Sequence, residues 1–202
     1  MTFPLSRLGV TLRRDNAPQR AAVELAHALV GEDETYLAGV DLLYDRRQAP
    51  QALRFLDNNL QIRLHHAPPA QLAGTARAIA TAANKTVVVN EQLSALPSPL
   101  LRVIRGRYAP LWGNVWIYAP AVLPGRFALE HDGTYELQPL GAAGVVRIDG
   151  VVVAGSLALA RGAHTYAGAA PLRLKLQPAG WRALADRRFA APQPLFPTVY
   201  SY

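Results

Sequence analysis

The chain has 202 residues, of which 50% are hydrophobic and 17% charged, a composition typical of a folded globular protein. Its net charge is +7, and 19 of its 21 basic residues are arginines scattered along the sequence. A dedicated nucleic-acid binder concentrates such residues on one element, so we expect no nucleic-acid partner; an anionic membrane surface is a better match. The absence of cysteine excludes disulfides, thiol catalysis and cysteine zinc sites.

No apolar run approaches the ~20 residues that cross a bilayer. The first residues also lack the apolar segment of a signal peptide. We therefore expect a soluble chain, or a soluble piece of a larger protein.

Residues 1–120 predict an α/β domain, an open mixed sheet with flanking helices. Apolar residues recur at helical spacing in several segments, and short β-branched or alternating runs lie between them. Helices and strands that alternate in this way favour a sheet covered by helices. The predicted helices are 16–30, capped by Asp15 or Asn16, then 50–58, 68–83 and 98–107; the predicted strands are 35–40, 60–64 and 86–89.

Residues 121–202 predict a small antiparallel β-sandwich with an extended C-terminal tail that contains Pro192, Pro194 and Pro197. After Pro124 the apolar residues alternate with a period of two in short segments. Asp132-Gly133, Asp149-Gly150 and Arg161-Gly162 separate several segments, and Asp-Gly is a strong hairpin signal. The predicted strands are 126–129, 133–137, 145–148, 151–153, 156–159 and 172–176.

Polar residues follow two of the predicted strands. Asp41 comes after the strand at 35–40, and Asn90 and Glu91 come after the strand at 86–89. Ligands of open α/β sheets gather outside the carboxyl ends of the strands, so these three residues are candidate binding residues. The alternative is that Asn90 or Glu91 only caps a turn.

Residues 108–125 form an aromatic seam between the two predicted domains. The seam holds Trp112 and Trp116, with Gly113-Asn114 as a predicted tight turn before the strand that carries Trp116. Flat aromatic faces stack on sugar rings, so Trp112, Asn114 and Trp116 are further candidate binding residues. The simpler alternative is that the aromatic rings are packed core.

The histidines do not predict a metal site, and we expect no metal and no cofactor. His65 and His66 are adjacent on a predicted strand, where neighbouring side chains point to opposite faces. His131 and His164 fall in predicted hairpins, where we expect them to be exposed. The sequence has no HExxH, GxSxG or GxxxxGK[ST] motif, and we assign no catalytic residue.

Six segments of the first domain form a recognisable set: NxxQR at 16–20, YLAGV at 36–40, LYDRRQ at 43–48, VVVNEQL at 87–93, Leu96-Pro97 and YAPLWGNVWIYAP at 108–120. Together they make most of residues 13–125 resemble the soluble C-terminal region of bacterial polytopic glycosyltransferases of the dolichyl-phosphate-mannose mannosyltransferase and aminoarabinose-transferase type. In the second domain, VRIDG at 146–150, LARGAH at 159–164 and LRL at 172–174 resemble PEGA-like sandwich modules.

This resemblance implies a non-catalytic, periplasmic domain of a membrane enzyme that takes sugar from a polyprenyl-phosphate carrier. Catalysis in that family lies between transmembrane helices, so no catalytic position carries over to this chain. The implied partners are the transmembrane portion of the parent transferase and a glycan or lipid-linked sugar. Two alternatives remain: a small α/β enzyme working at Asp41, Asn90 and Glu91, and a structural or protein-interaction module.

Overall fold

The structure, a computed structural model, describes residues 17–142 and 144–185. The described residues form helices and three sheets, a mixed α/β architecture in which most strand pairs are antiparallel. The helices are α1 (Ala17–Leu29), a 3-10 turn (Gln51–Leu53), α2 (Asn58–His65), α3 (Pro69–Thr81), α4 (Glu91–Ser94), α5 (Ser98–Arg107) and α6 (Trp181–Leu184). The strands are β1 (Thr35–Leu37), β2 (Arg47–Gln48), β3 (Thr86–Val88), β4 (Tyr108–Trp112), β5 (Val115–Tyr118), β6 (Ala121–Val122), β7 (Gly125–Leu129), β8 (Gly133–Pro139), β9 (Val146–Ile148), β10 (Val151–Val153), β11 (Ser156–Leu159), β12 (Gly162–Ala167) and β13 (Leu172–Gln177).

The first sheet confirms the mixed α/β prediction. Its strand order is β2-β1-β3-β5-β4, with β1 parallel to β2 and β3, and with β5 antiparallel to β3 and β4. Strand β3 is uncharged and fully buried, as a central strand covered on both faces should be. The predicted turn at Gly113 and Asn114 joins β4 to β5, and Gly113 has a φ of 52°, which a glycine adopts without strain.

Two four-stranded antiparallel sheets follow, with orders β10-β9-β12-β7 and β11-β8-β13-β6. Strand β13 shows the period of two: Leu172, Leu174 and Leu176 are buried, whereas Arg173 and Lys175 between them are not. The buried side chains of these sheets and of the first sheet belong to one hydrophobic cluster. We call the described residues up to 120 the α/β part and those from 121 the β part; the domain boundary itself stays a prediction.

The passage from the α/β part to the β part is short and hydrogen bonded. Only Ala119 and Pro120 lie between β5 and β6. The Ala119 N–H donates to the carbonyl of Arg107 over 2.7 Å, and the Leu174 N–H donates to the carbonyl of Pro120 over 3.0 Å. The chain therefore crosses between the parts while bonded to both.

Residues 60–64 are helical, and the predicted strand is wrong. A carboxylate oxygen of Asp57 accepts the N–H of Leu60 over 2.7 Å and caps α2, the usual way to satisfy an N-terminal donor. Leu60 and Leu64, four residues apart, pack inward, and Ile62 between them is 57% exposed. Leu60 and Leu64 therefore lie on the inward face of the helix, and Ile62 lies on its exposed face.

Of the two Asp-Gly pairs that predicted hairpins and the Arg161-Gly162 pair that separated two predicted strands, only Asp149-Gly150 joins neighbouring strands. Asp149 and Gly150 have φ values of 51° and 81° and connect β9 to β10, as a primed turn requires. Asp132-Gly133 and Arg161-Gly162 instead connect strands of different sheets, and the second leads into β12, a strand that the sequence pattern did not indicate. The predicted cap at Asp15 or Asn16 and the proline-containing tail lie outside the described residues. No helix among those residues is long and apolar enough to span a membrane.

Candidate functional site

Asp41 is held in an ion pair after β1. Arg54 donates from Nε and Nη2 to the Asp41 carboxylate over 2.8–3.1 Å, and Gln48 Nε2 donates to it over 2.8 Å. The hydrogen bonds from Arg54 are the main reason why the pKa of Asp41 is lowered. The carboxylate therefore stays ionised and fastens the loop that carries Arg54.

Asn90 caps a helix, which is the structural alternative that its position allowed. Its Oδ1 accepts the N–H of Leu93 over 2.9 Å at the start of α4, and its Nδ2 donates to the carbonyl of Ala38 over 2.6 Å. The side chain is 2% exposed. Glu91 is the exposed first residue of α4. Asn90 follows β3 and Ala38 follows β1, so this hydrogen bond links the carboxyl ends of the two strands.

The aromatic seam is largely core. Trp112 is 6% exposed and Asn114 is 8% exposed, and both lie at the β4–β5 hairpin. Trp116 on β5 is half-buried, between Val87 of β3 and Pro110 of β4 in the sheet register. A sugar ring needs an open aromatic face, which Trp112 does not offer, so the packed-core alternative accounts for this residue.

A cleft of about 510 Å³ lies between the α/β part and the β part, at the amino ends of β1 and β3. This is the opposite end of those strands from Asp41 and Asn90. Four chain segments that are distant in sequence form its walls. The lining residues are Asp33, Glu34, Thr35, Ala82, Ala83 and Lys85 from the α/β part, and Glu130, His131, Asp132 and Arg161 from the β part.

Charged groups of both signs line this cleft, and several are anchored. Lys85 Nζ lies 3.1 Å from Glu34 Oε1. The Asp132 carboxylate accepts the backbone N–H of Arg161, which ties the β7–β8 loop to the β11–β12 loop. Glu130 pairs with the half-buried guanidinium of Arg107 from α5. These ion pairs and hydrogen bonds fix the positions of the polar side chains in the walls of the cleft.

His131 is half-buried in the cleft wall, so the prediction of an exposed side chain is wrong. Its ring packs edge-on against Tyr118 of β5, with centroids 4.9 Å apart, and the Tyr135 hydroxyl donates to its carbonyl over 2.6 Å. Burial is the main reason why the pKa of His131 is lowered. Its buried Nε2 has no hydrogen-bond partner among the described residues. The imidazole is thus neutral at pH 7 and keeps one ring nitrogen unused.

Two further histidines, His65 and His164, each contact a neighbouring part of the fold. His65 ends α2, and its Nε2 lies 2.8 Å from the carbonyl of Ala95. His164, which we had also expected to be exposed, is half-buried against Phe127. Among the residues that the structure describes, no group of three or more His, Asp or Glu side chains is arranged to hold a metal ion.

The sequence pattern pointed to the other end of the strands, and it contained no signal for this cleft. Its lining comes from segments near residues 33, 83, 131 and 161, and only the tertiary fold brings them together. The chain matches no family model, no curated protein and no solved structure.

Proposed function

We propose that this chain is a non-catalytic, periplasmic recognition domain of a membrane glycosyltransferase that uses a polyprenyl-phosphate-linked sugar, and that the cleft receives the acceptor glycan. The resemblance of residues 13–125 supports the class of parent enzyme. The charged cleft between the two parts supports a recognition role and is the observation on which the proposal rests. The proposal includes face-to-face packing of the two four-stranded sheets as a sandwich.

The cleft has the size and chemistry that a short glycan needs. Its volume of about 510 Å³ lies within the usual range for small-molecule sites. Sugar hydroxyls both donate and accept hydrogen bonds, and the cleft offers carboxylates as acceptors beside Lys85 and Arg161 as donors. Anchored side chains suit such a ligand because little conformational freedom is lost on binding.

The alternative of an enzyme site at the strand ends loses its support. Asp41 is engaged by Arg54 and Gln48, and Asn90 is buried as a helix cap. The Asp41 carboxylate is therefore not free to exchange protons with a substrate, and the Asn90 amide is neither an acid nor a base. Glu91, the third candidate, is exposed on α4. A non-catalytic role agrees with a parent enzyme whose reacting groups lie in its membrane portion.

The proposal is tested by titrating the isotopically labelled full chain with mannose oligosaccharides and with the oligosaccharide fraction released from the envelope of the source cells. We expect backbone resonance shifts around residues 33–35, 83–85, 130–132 and 161. Arg161→Ala should weaken binding at least about tenfold, as loss of one charged hydrogen bond does.

Arg63→Ala is the matched control, because Arg63 is an exposed arginine on α2 that does not line the cleft. Two results would contradict the assignment of the glycan to the cleft. One is glycan-induced resonance shifts that occur only outside the cleft residues. The other is an equal loss of glycan affinity in Arg161→Ala and Arg63→Ala. An antibody blot of fractionated source cells tests the parent enzyme separately. A large membrane-bound band supports it, and a soluble band of this chain's own size contradicts it.

A further inference from the structure

No acidic residue lies on the strands of the sheet β10-β9-β12-β7. The carboxylate of Asp149, in the β9–β10 turn, accepts the hydroxyl of Thr165 at the outward face of this sheet. Ile148, Tyr166 and Leu129 point inward and are buried, so the residues that alternate with them point outward. All seven of these outward residues are exposed. They are Arg126 and Ala128 on β7, Arg147 on β9, Val152 on β10, and Ala163, Thr165 and Ala167 on β12.

The two arginines of this face are available to an external anion. Arg126 lies opposite Thr165, and Arg147 lies between Ala167 and Val152 in the sheet register. Neither guanidinium has an ion-pair partner among the described residues. Two strand spacings of ~4.8 Å separate the strands that carry them, so they can reach two separate anionic groups on one plane.

An apolar side chain continues this face to the edge of the sheet. Val152, opposite Arg147, is 56% exposed, whereas Val151, opposite the inward Ile148, lies on the other face of the sheet. Strand β10 lies at the sheet edge, where natural proteins usually place charges or prolines rather than valines. An exposed valine beside two arginines without ion-pair partners therefore favours a partner that is both apolar and anionic.

We propose that this face, defined by Arg126, Arg147 and Val152, lies against the surface of an anionic lipid bilayer. The arginines contact headgroup phosphates while Val152 enters the boundary between headgroups and acyl chains. The small side chains of β12 allow the sheet to approach a flat surface closely. A protein strand added to β10 would be held by backbone hydrogen bonds and would not need two unpaired arginines on the sheet face.

The test is co-sedimentation of the full chain with vesicles, either phosphatidylglycerol mixed with phosphatidylcholine or phosphatidylcholine alone. We expect binding to the anionic vesicles that weakens as salt is raised. Replacing both arginines, R126Q/R147Q, should weaken binding roughly thirtyfold at low salt, since each basic residue near an anionic surface contributes about fivefold. V152S should weaken binding at every salt concentration.

The matched control is R63Q/R102Q, which removes the same charge from exposed arginines on α2 and α5. Far-UV circular dichroism and thermal unfolding verify that all variants fold. Equal losses in R63Q/R102Q and R126Q/R147Q would overturn the proposal, because binding would then follow net charge alone. Absence of binding to anionic vesicles would also overturn it. So would a chain that binds no vesicles but self-associates, if R126Q/R147Q abolishes that self-association. None of these outcomes depends on whether the cleft binds a glycan.

Discussion

The imidazole of His164 links Asp149 in the β9–β10 turn to Ala160 in the β11–β12 loop. Its Nδ1 lies 2.7 Å from Asp149 Oδ2, and its Nε2 lies 2.8 Å from the carbonyl of Ala160. Both ring nitrogens face acceptors, and only the protonated ring donates from both. The hydrogen bond to Asp149 is the largest cause of the raised pKa of His164, and the same bond is the largest cause of the lowered pKa of Asp149.

This pair predicts a pH-dependent stability. A raised histidine pKa stabilises the fold below the unfolded pKa of about 6.5, and that contribution is lost as pH rises through the folded pKa. A lowered aspartate pKa stabilises it above about pH 4, and that contribution is lost as pH falls through the folded pKa. The pair should therefore contribute most between about pH 4 and 6.5.

Asp149→Asn tests this prediction, because asparagine tolerates the φ of 51° at this position. We expect the variant to unfold at a lower temperature than the parent chain at pH 5–6, with the difference shrinking towards pH 9. NMR titration of the His164 ring should give a lower pKa in the variant. An unchanged pKa would show that Asp149 does not hold the proton on His164.

Asn90→Ala should destabilise the fold by about 2–4 kcal/mol. Loss of a helix cap costs about 1 kcal/mol, and leaving the carbonyl of the fully buried Ala38 unsatisfied costs about 1–3 kcal/mol more. Urea denaturation measures the change. The neighbouring Glu91→Ala is the control and should stay within about 0.5 kcal/mol of the parent chain. Equal effects in both variants would contradict the structural role of Asn90.

Trp112→Ala should act on stability rather than on recognition. Truncating a buried tryptophan costs about 3–5 kcal/mol, and the side chain is 6% exposed. Trp112→Phe, which keeps most of the buried ring, should cost less. Thermal unfolding and the glycan titration separate the two roles. A Trp112→Phe chain that folds with unchanged stability but no longer binds glycan would restore the sugar-platform hypothesis.

Local patterns predicted the elements whose side chains follow a single period. Helices α1, α3 and α5 were predicted from apolar residues at helical spacing, strand β13 from its period of two, and strand β3 from an uncharged, β-branched run. Residues 60–64 were mispredicted because the alternation is too short to distinguish a strand from a helix. The Asp57 cap, which decides the outcome, lies outside the alternating segment.

The site depends on long-range contacts that no local pattern contains. Asp132-Gly133 was interpreted as a hairpin turn, but it carries the chain from one sheet to another and places His131 against Tyr118. The cleft exists because that crossing brings the loop beside Lys85. Asp41 and Asn90 were sensible candidates by position, and only their hydrogen-bond partners show that they are structural.

The two-residue passage through Ala119 and Pro120 leaves no room for a hinge. A clamshell opening of the cleft would strain the hydrogen bond that ties Leu174 to Pro120 and the Arg107–Glu130 ion pair, both of which join the two parts. We therefore expect the two walls of the cleft to keep a fixed relative position. If the cleft binds a glycan as proposed, it should select ligands that fit its existing shape, bind them without slow domain closure, and not signal their binding through such a closure.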